Sequence, residues 1–168
     1  MQFEVSSYAK INSFLNILGE RADGYHEIYT HFQLLDLKDT LFFSPSSQNH
    51  AFCDGITKEE NIILKSIKWF NNKFGKNQHF SVTVEKIIPI GAGLGGGSSN
   101  AAATLCFLCD YHGIERKLLD FHEISFELGA DIPIFIFGKS AFASGIGEKI
   151  EEESSDKSSY ILISPDIN

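Results

Sequence analysis

The chain has 168 residues, 43% of them apolar and 15 of them phenylalanine, which is enough to bury one real core and, on length, to form one domain. With 14 basic against 22 acidic side chains the net charge is −8, so the basic footprint of a nucleic-acid binder is excluded, and an anionic ligand must be held by local backbone amides and a few lysines. No run approaches the ~18 uninterrupted apolar residues of a membrane span, and Met1-Gln2-Phe3-Glu4-Val5 lacks a secretory pattern; the expected setting is the cytoplasm, with no membrane partner.

Phe3 to Leu18 is rich in strand formers, and Arg21-Ala22-Asp23-Gly24-Tyr25 supplies a turn centred on Asp-Gly. Ile28, Thr30, Phe32 and Leu34 alternate onto one face, and Thr40 to Ser44 reads as another short strand before Pro45, so the chain opens as an antiparallel sheet. Asn61 can cap a helix whose apolar positions Ile63, Ile67, Phe70 and Phe74 recur at helical spacing, with Gly75 ending it. Phe80, Val82 and Val84 then alternate as a strand that runs straight into a glycine-rich loop.

Beyond the loop, Asn100 to His112 predicts a helix stopped by Gly113, and Lys117 to Leu128 a second one stopped by Gly129. Ser140 to Ser144 and Glu148 to Ile150 flank a Gly145-Ile146-Gly147 turn. The acidic run Glu151 to Ser159 reads as a solvated tip or linker, Tyr160 to Ser164 as the apolar end of a strand, and the chain finishes at Pro165-Asp166-Ile167-Asn168. There is no internal repeat.

Three cysteines, Cys53, Cys106 and Cys109, cannot all pair within one chain; Cys106 and Cys109 share Cys-x-x-Cys spacing, but no second ligand pair follows, and buried thiols fit better than a zinc or redox site. His31, His50, His79, His112 and His122 show no metal-ligand spacing.

The chemistry concentrates in Pro89-Ile90-Gly91-Ala92-Gly93-Leu94-Gly95-Gly96-Gly97-Ser98-Ser99, with five glycines in seven residues. A Walker A loop is ruled out because the lysine that reaches the terminal phosphates is missing. The letters fit a dinucleotide fingerprint, but a second helix stands where that unit needs a second parallel strand. A phosphate loop of another shape needs no lysine: glycines turn backbone amides inward, the helix that follows offers free N–H groups and its positive dipole end, and Ser98 and Ser99 add hydroxyls for a phosphate oxygen or a magnesium ion. A tight strand-to-helix turn made only for close packing is the remaining reading, although two or three glycines would suffice for it.

The loop resembles that of the GHMP kinase superfamily of small-molecule kinases. Four further segments narrow the resemblance to its branch that acts on cytidine-diphosphate methylerythritol in the non-mevalonate route to isoprenoids: Tyr8-Ala9-Lys10-Ile11-Asn12, then Arg21 to His26, then Gly129-Ala130-Asp131-Ile132-Pro133, then Gly145-Ile146-Gly147-Glu148. The resemblance implies an α+β fold of the ribosomal protein S5 domain 2-like kind. It further implies transfer of the γ-phosphoryl group of ATP, with Mg2+, to the 2-hydroxyl of the methylerythritol unit. Such chemistry needs a carboxylate and a cation, the roles implied for Asp131 and Lys10; standing alone, the first would read as a helix cap and the second as a surface lysine.

By the same resemblance Pro89 to Ser99 cradle ATP, Ser98 holds the metal, and Asn61 touches the adenine, although capping explains Asn61 equally well. Tyr25 and His26 are implied to take the cytosine and Asn12 the methylerythritol hydroxyls; a Tyr25 ring packed over its own turn is the other reading. Another kinase of the superfamily, of homoserine or mevalonate type, and a nucleotide-binding module without turnover are the alternatives. The resemblance covers the N-terminal part of a two-domain pattern. Residues 1–168 therefore read as the ATP-binding domain, 151–168 as the start of a link to a C-terminal domain outside the chain, and the face that domain would cover as a surface for self-association.

Overall fold

A computed structural model describes residues 1–57, 61–153 and 158–163. Strands β1 (Phe3–Glu20) and β2 (His26–Ser46) form a long antiparallel pair from Phe3 opposite Phe43 to Glu20 opposite His26, with register shifts between Tyr8 and Lys10, Asn12 and Phe14, and Ile17 and Gly19. The turn between them is pinned from inside: Asp23 Oδ1 accepts from the Tyr25 N–H at 3.1 Å, and Arg21 pairs with both Asp23 and Glu27.

Where the sequence pattern suggests two strands between Ile28 and Ser44, the structure has one strand that changes neighbours. Ile28 to Phe32 pair with β5 (Ala141–Gly145), whereas Thr40 to Ser46 pair with β4 (His79–Glu85), and β1 occupies the opposite edge. The alternation fades between these two halves because the surroundings change there. A short β3 (His50–Phe52), unmarked in the sequence, lies parallel to β4, and β6 (Lys149–Glu152) completes the order β3-β4-β2-β5-β6 with β1 beside β2.

Helix α1 (Ile62–Phe74) begins where Asn61 accepts from the Ile63 N–H at 3.0 Å and ends at a left-handed Gly75. α2 (Gly96–His112) starts earlier than its apolar pattern, inside the glycine loop. The single helix predicted from Lys117 to Leu128 is broken: a 3-10 turn covers Arg116–Leu118, and α3 (Phe121–Glu127) restarts because the Asp120 carboxylate caps the N–H groups of His122 and Glu123. α4 (Ile132–Phe137) escapes periodicity, since nearly every side chain in it is apolar. Tyr160 to Ile163 form no strand and stand exposed, Ile161 at 91%; Ser164 to Asn168 and Ser154 to Lys157 lie outside the described residues.

The core fills the space between the sheet and the helices. Phe43 of β2 stacks on Phe107 of α2 with ring centres 4.2 Å apart, Phe80 of β4 meets Phe107 edge-on, and Ile63, Ile67 and Phe70 of α1 close the far side. Among the described residues no helix is long and apolar enough to cross a membrane. All three cysteines are free, and burial raises each thiol above its ordinary value, Cys109 to about 11. Thiolate is the reactive form. Alkylation at pH 8 should therefore leave Cys53, Cys106 and Cys109 unmodified in the native protein and label all three in denaturant, as mass spectrometry would record.

Candidate functional site

The glycine loop leaves the end of β4 and climbs into α2 through three left-handed residues, Gly91, Gly93 and Gly95, with φ of 75°, 73° and 71°. They alternate with Ala92 and Leu94, which keep negative φ, a pattern that turns successive N–H groups toward one concavity. Gly95 is the N-cap of α2 and offers no side-chain cap, so the first N–H groups of a 17-residue helix face the cleft unclaimed by any capping side chain. The cleft holds about 220 Å³ and is lined by residues 89–97 together with Ile56 and Lys86.

Each glycine answers to a different neighbour. A Cβ on Gly95 would lie 2.7 Å from Phe135 and 3.2 Å from Lys10, and one on Gly96 would lie 3.0 Å from both Ile88 and Lys86. At Gly97 nothing in the protein stands within 4 Å and φ is not left-handed, so the protein itself makes no demand for glycine there.

Lys10 enters from β1 beneath this loop. Its backbone N–H donates to the Leu94 carbonyl at 3.0 Å, its side chain is buried, and Nζ lies 5.4 Å from the centre of the Phe32 ring. Nζ reaches Asn12 Oδ1 at 2.7 Å and Asp131 Oδ2 at 3.1 Å. Asn12 is fixed in turn, its Nδ2 donating to Thr30 Oγ1 at 2.7 Å while Thr30 donates to the Phe14 carbonyl at 2.6 Å. Asp131 stands at the N-cap position of α4 yet caps nothing; its carboxylate is partly exposed and turned to Lys10.

The segment before Asp131 is held from two sides. Ser98 of α2 lies near Gly129, and a Cβ on Gly147 would sit 3.1 Å from the Ala130 carbonyl, so the β5–β6 turn presses on this backbone. Glu148 stiffens that turn by accepting from the Ile146 N–H at 2.7 Å.

Four expected site residues lie elsewhere or are otherwise engaged. Asn61 is buried, spends its side-chain oxygen on the α1 cap and does not line the loop cleft. Ser99 is buried and accepts from Ser7 Oγ at 2.8 Å. Tyr25 is 37% exposed and meets the Phe126 ring of α3 at a steep angle, ring centres 5.0 Å apart, so it is anchored yet partly open. His26 beside it is exposed. Sequence reasoning passed over Lys86 and Thr30, because a lysine after a strand and a threonine within one carry no signal until the fold brings them to the loop.

Residues 61–139 match the GHMP kinases N terminal domain. The chain carries a GHMP kinase N-terminal domain. Over 168 aligned positions it is 46% identical to 4-diphosphocytidyl-2-C-methyl-D-erythritol kinase of Francisella tularensis subsp. novicida (strain U112), covering 96% of this chain and 61% of that protein. The kinase of the same name from Acinetobacter baylyi is 43% identical, with 96% and 60% covered. A crystal structure of 4-(cytidine 5'-diphospho)-2C-methyl-D-erythritol kinase superposes with a TM-score of 0.75 at 35% identity, over 90% of this chain and 55% of that one. Mevalonate pyrophosphate decarboxylase from Streptococcus pyogenes, 18% identical with a TM-score of 0.65, shares the fold. The chain thus spans about three fifths of the curated relatives that it matches.

The loop of this GHMP kinase domain separates two kinds of glycine experimentally. Gly95→Ala forces a left-handed alanine against Phe135 and should cost about 1–3 kcal/mol. Gly97→Ala should change stability by less than about 0.5 kcal/mol. Urea unfolding of the two variants measures both.

Proposed function

We propose that this chain is the nucleotide-binding and catalytic part of a 4-diphosphocytidyl-2-C-methyl-D-erythritol kinase, transferring the γ-phosphoryl group of ATP to the 2-hydroxyl of the substrate. The observation that carries this reading is the pairing of a buried lysine with a carboxylate that caps nothing, 3.1 Å apart and beside an uncapped helix start. The relatives supply the substrate, through their names and their likeness over nearly the whole of this chain.

In this reading the phosphates of ATP lie against the N–H groups of residues 91–97, and Gly97 is a glycine because a phosphate comes where a side chain would stand. The acceptor hydroxyl bonds to the γ-phosphorus as the bridging oxygen leaves with ADP; its proton passes to the Asp131 carboxylate, and Lys10 offsets the charge on the transferred group. A magnesium ion would supply further charge neutralisation, with the Ser98 hydroxyl as the side chain of this chain that would help to hold it. Tyr25 and His26 receive the cytosine, and Asn12, already tied to Lys10, faces the methylerythritol hydroxyls.

We place the enzyme in the cytoplasm. Residues 1–168 act as the ATP-binding domain and the stretch after residue 150 as its link to a C-terminal domain. Exposed Leu15, Ile17, Leu18 and Ile161 support self-association of the chain taken by itself.

Phosphorylation assays on the cytidine substrate, homoserine and mevalonate test the assignment: transfer to the first alone is expected, while nucleotide binding with no transfer to any would favour a binding module. Asp131→Asn should keep ATP-analogue affinity and lower turnover by roughly two to four orders of magnitude; near-normal turnover would remove Asp131 from the chemistry. Tyr25→Ala should weaken the cytidine substrate by about 1–3 kcal/mol with ATP affinity unchanged. Equal loss for both ligands in calorimetry would mean that the turn, rather than a stacking face, had been damaged.

A further inference from the structure

Strand pairing between β2 and β4 ends at Thr40 opposite Glu85, one residue before Lys86, and from there the backbone must turn into the glycine loop. The N–H groups that follow find a side chain instead of a strand. Asp39 Oδ1 accepts from both Ile87 N and Ile88 N at 2.8 Å, and its Oδ2 accepts from Lys86 Nζ at 2.7 Å. With the Asn100 amide nitrogen turned toward the surrounding acceptors, its two hydrogens serve Ser7 Oγ at 2.7 Å and the same Oδ2 at 3.2 Å, with the Gly96 carbonyl 3.3 Å away. Asp39 is fully buried.

One carboxylate therefore gathers donors from both flanks of the loop: residues 86–88 before it and Asn100, one turn into α2, after it. We infer that Asp39 is a positioning residue that holds the glycine loop in its ligand-ready shape. The inference rests on reading that loop as the phosphate site. The chemistry calls for a carboxylate, because four donors converge on it and an amide would offer one oxygen and two competing N–H groups. Asp39 also sets Lys86. Drawn toward the carboxylate, Nζ donates in addition to the Ile88 carbonyl and lies 3.0 Å from the place of a Gly96 Cβ, so its charge sits under the helix start. Asp39 touches no ligand itself and acts through the loop.

A purely structural carboxylate would affect stability alone, and the test separates the two roles. The 168-residue chain is compared with Asp39→Asn and with the double variant Asp39→Leu/Lys86→Met, in which an apolar pair replaces the buried ion pair and leaves neither charge unpaired. Three quantities are read in each: urea stability, 15N order parameters of Gly91, Gly93, Gly95, Gly96 and Gly97 without nucleotide, and affinity for a non-hydrolysable ATP analogue. The unaltered loop should be rigid, at about 0.85, and fall below about 0.6 in both variants under conditions where each is folded. Analogue affinity should fall about tenfold if the ligand-ready fraction falls to a tenth.

Should Asp39→Asn not fold, the double variant decides. A loop as ordered in a folded variant as in the parent, or already disordered in the parent, overturns the inference. An unaltered chain that binds no analogue but whose loop loosens in the variants overturns the phosphate-site reading and leaves the role of Asp39 standing.

Discussion

The cleft depends on one close approach. At Gly95 the backbone passes so near Phe135 and Lys10 that a single added carbon would collide with the aromatic ring. Because no carbon is there, α2 can begin directly above β1, the Lys10 N–H can hold the Leu94 carbonyl, and the lysine side chain can run under the loop to meet Asp131. Loop, lysine and carboxylate come from residues far apart in the chain, and around this contact they meet.

The second constraint is the length of β2. A strand of 21 residues that gives half of one edge to β5 and half to β4 leaves an interval where neither neighbour continues the ladder. Asp39 stands in that interval, and its carboxylate takes up the N–H groups that the missing partner would have bonded. A break in strand pairing, costly in a core if left open, has become the place where the loop is fastened. The β5 half of the same strand carries Thr30 and Phe32, which set the surroundings of Lys10, so one strand serves both sides of the cleft.

Much of this was legible in the sequence wherever the cause is local. Asn61 and Gly75 bracket α1 because capping chemistry acts within one turn, and the glycine run marked its loop because left-handed backbone is a local demand. The break before α3 was legible in principle, since Asp120 is a good cap, but the apolar pattern runs across it. α4 showed only its start, Asp131 before Pro133, since the residues that follow are too uniformly apolar to show a period, and β3 left no trace, being three residues that become a strand only by lying beside β4. For the site, composition and spacing reached the loop alone. Lys10 and Asp131 stood out only by family likeness, and Asp39, Lys86 and Thr30 did not stand out, because a lone polar residue in a strand or just after one looks the same whether it faces water or a buried partner.

Thr30 carries a consequence of its own. A hydroxyl has one hydrogen, and that of Thr30 is committed to the Phe14 carbonyl, so toward Asn12 the oxygen can only receive. Asn12 must then present its amino group to Thr30 and its oxygen to Lys10, which fixes the sense of the whole relay from ammonium to carbonyl. An ammonium group has three hydrogens. One is given to Asn12 and the charge faces Asp131 at 3.1 Å, so a hydroxyl two steps away decides which end of Asn12 the lysine meets.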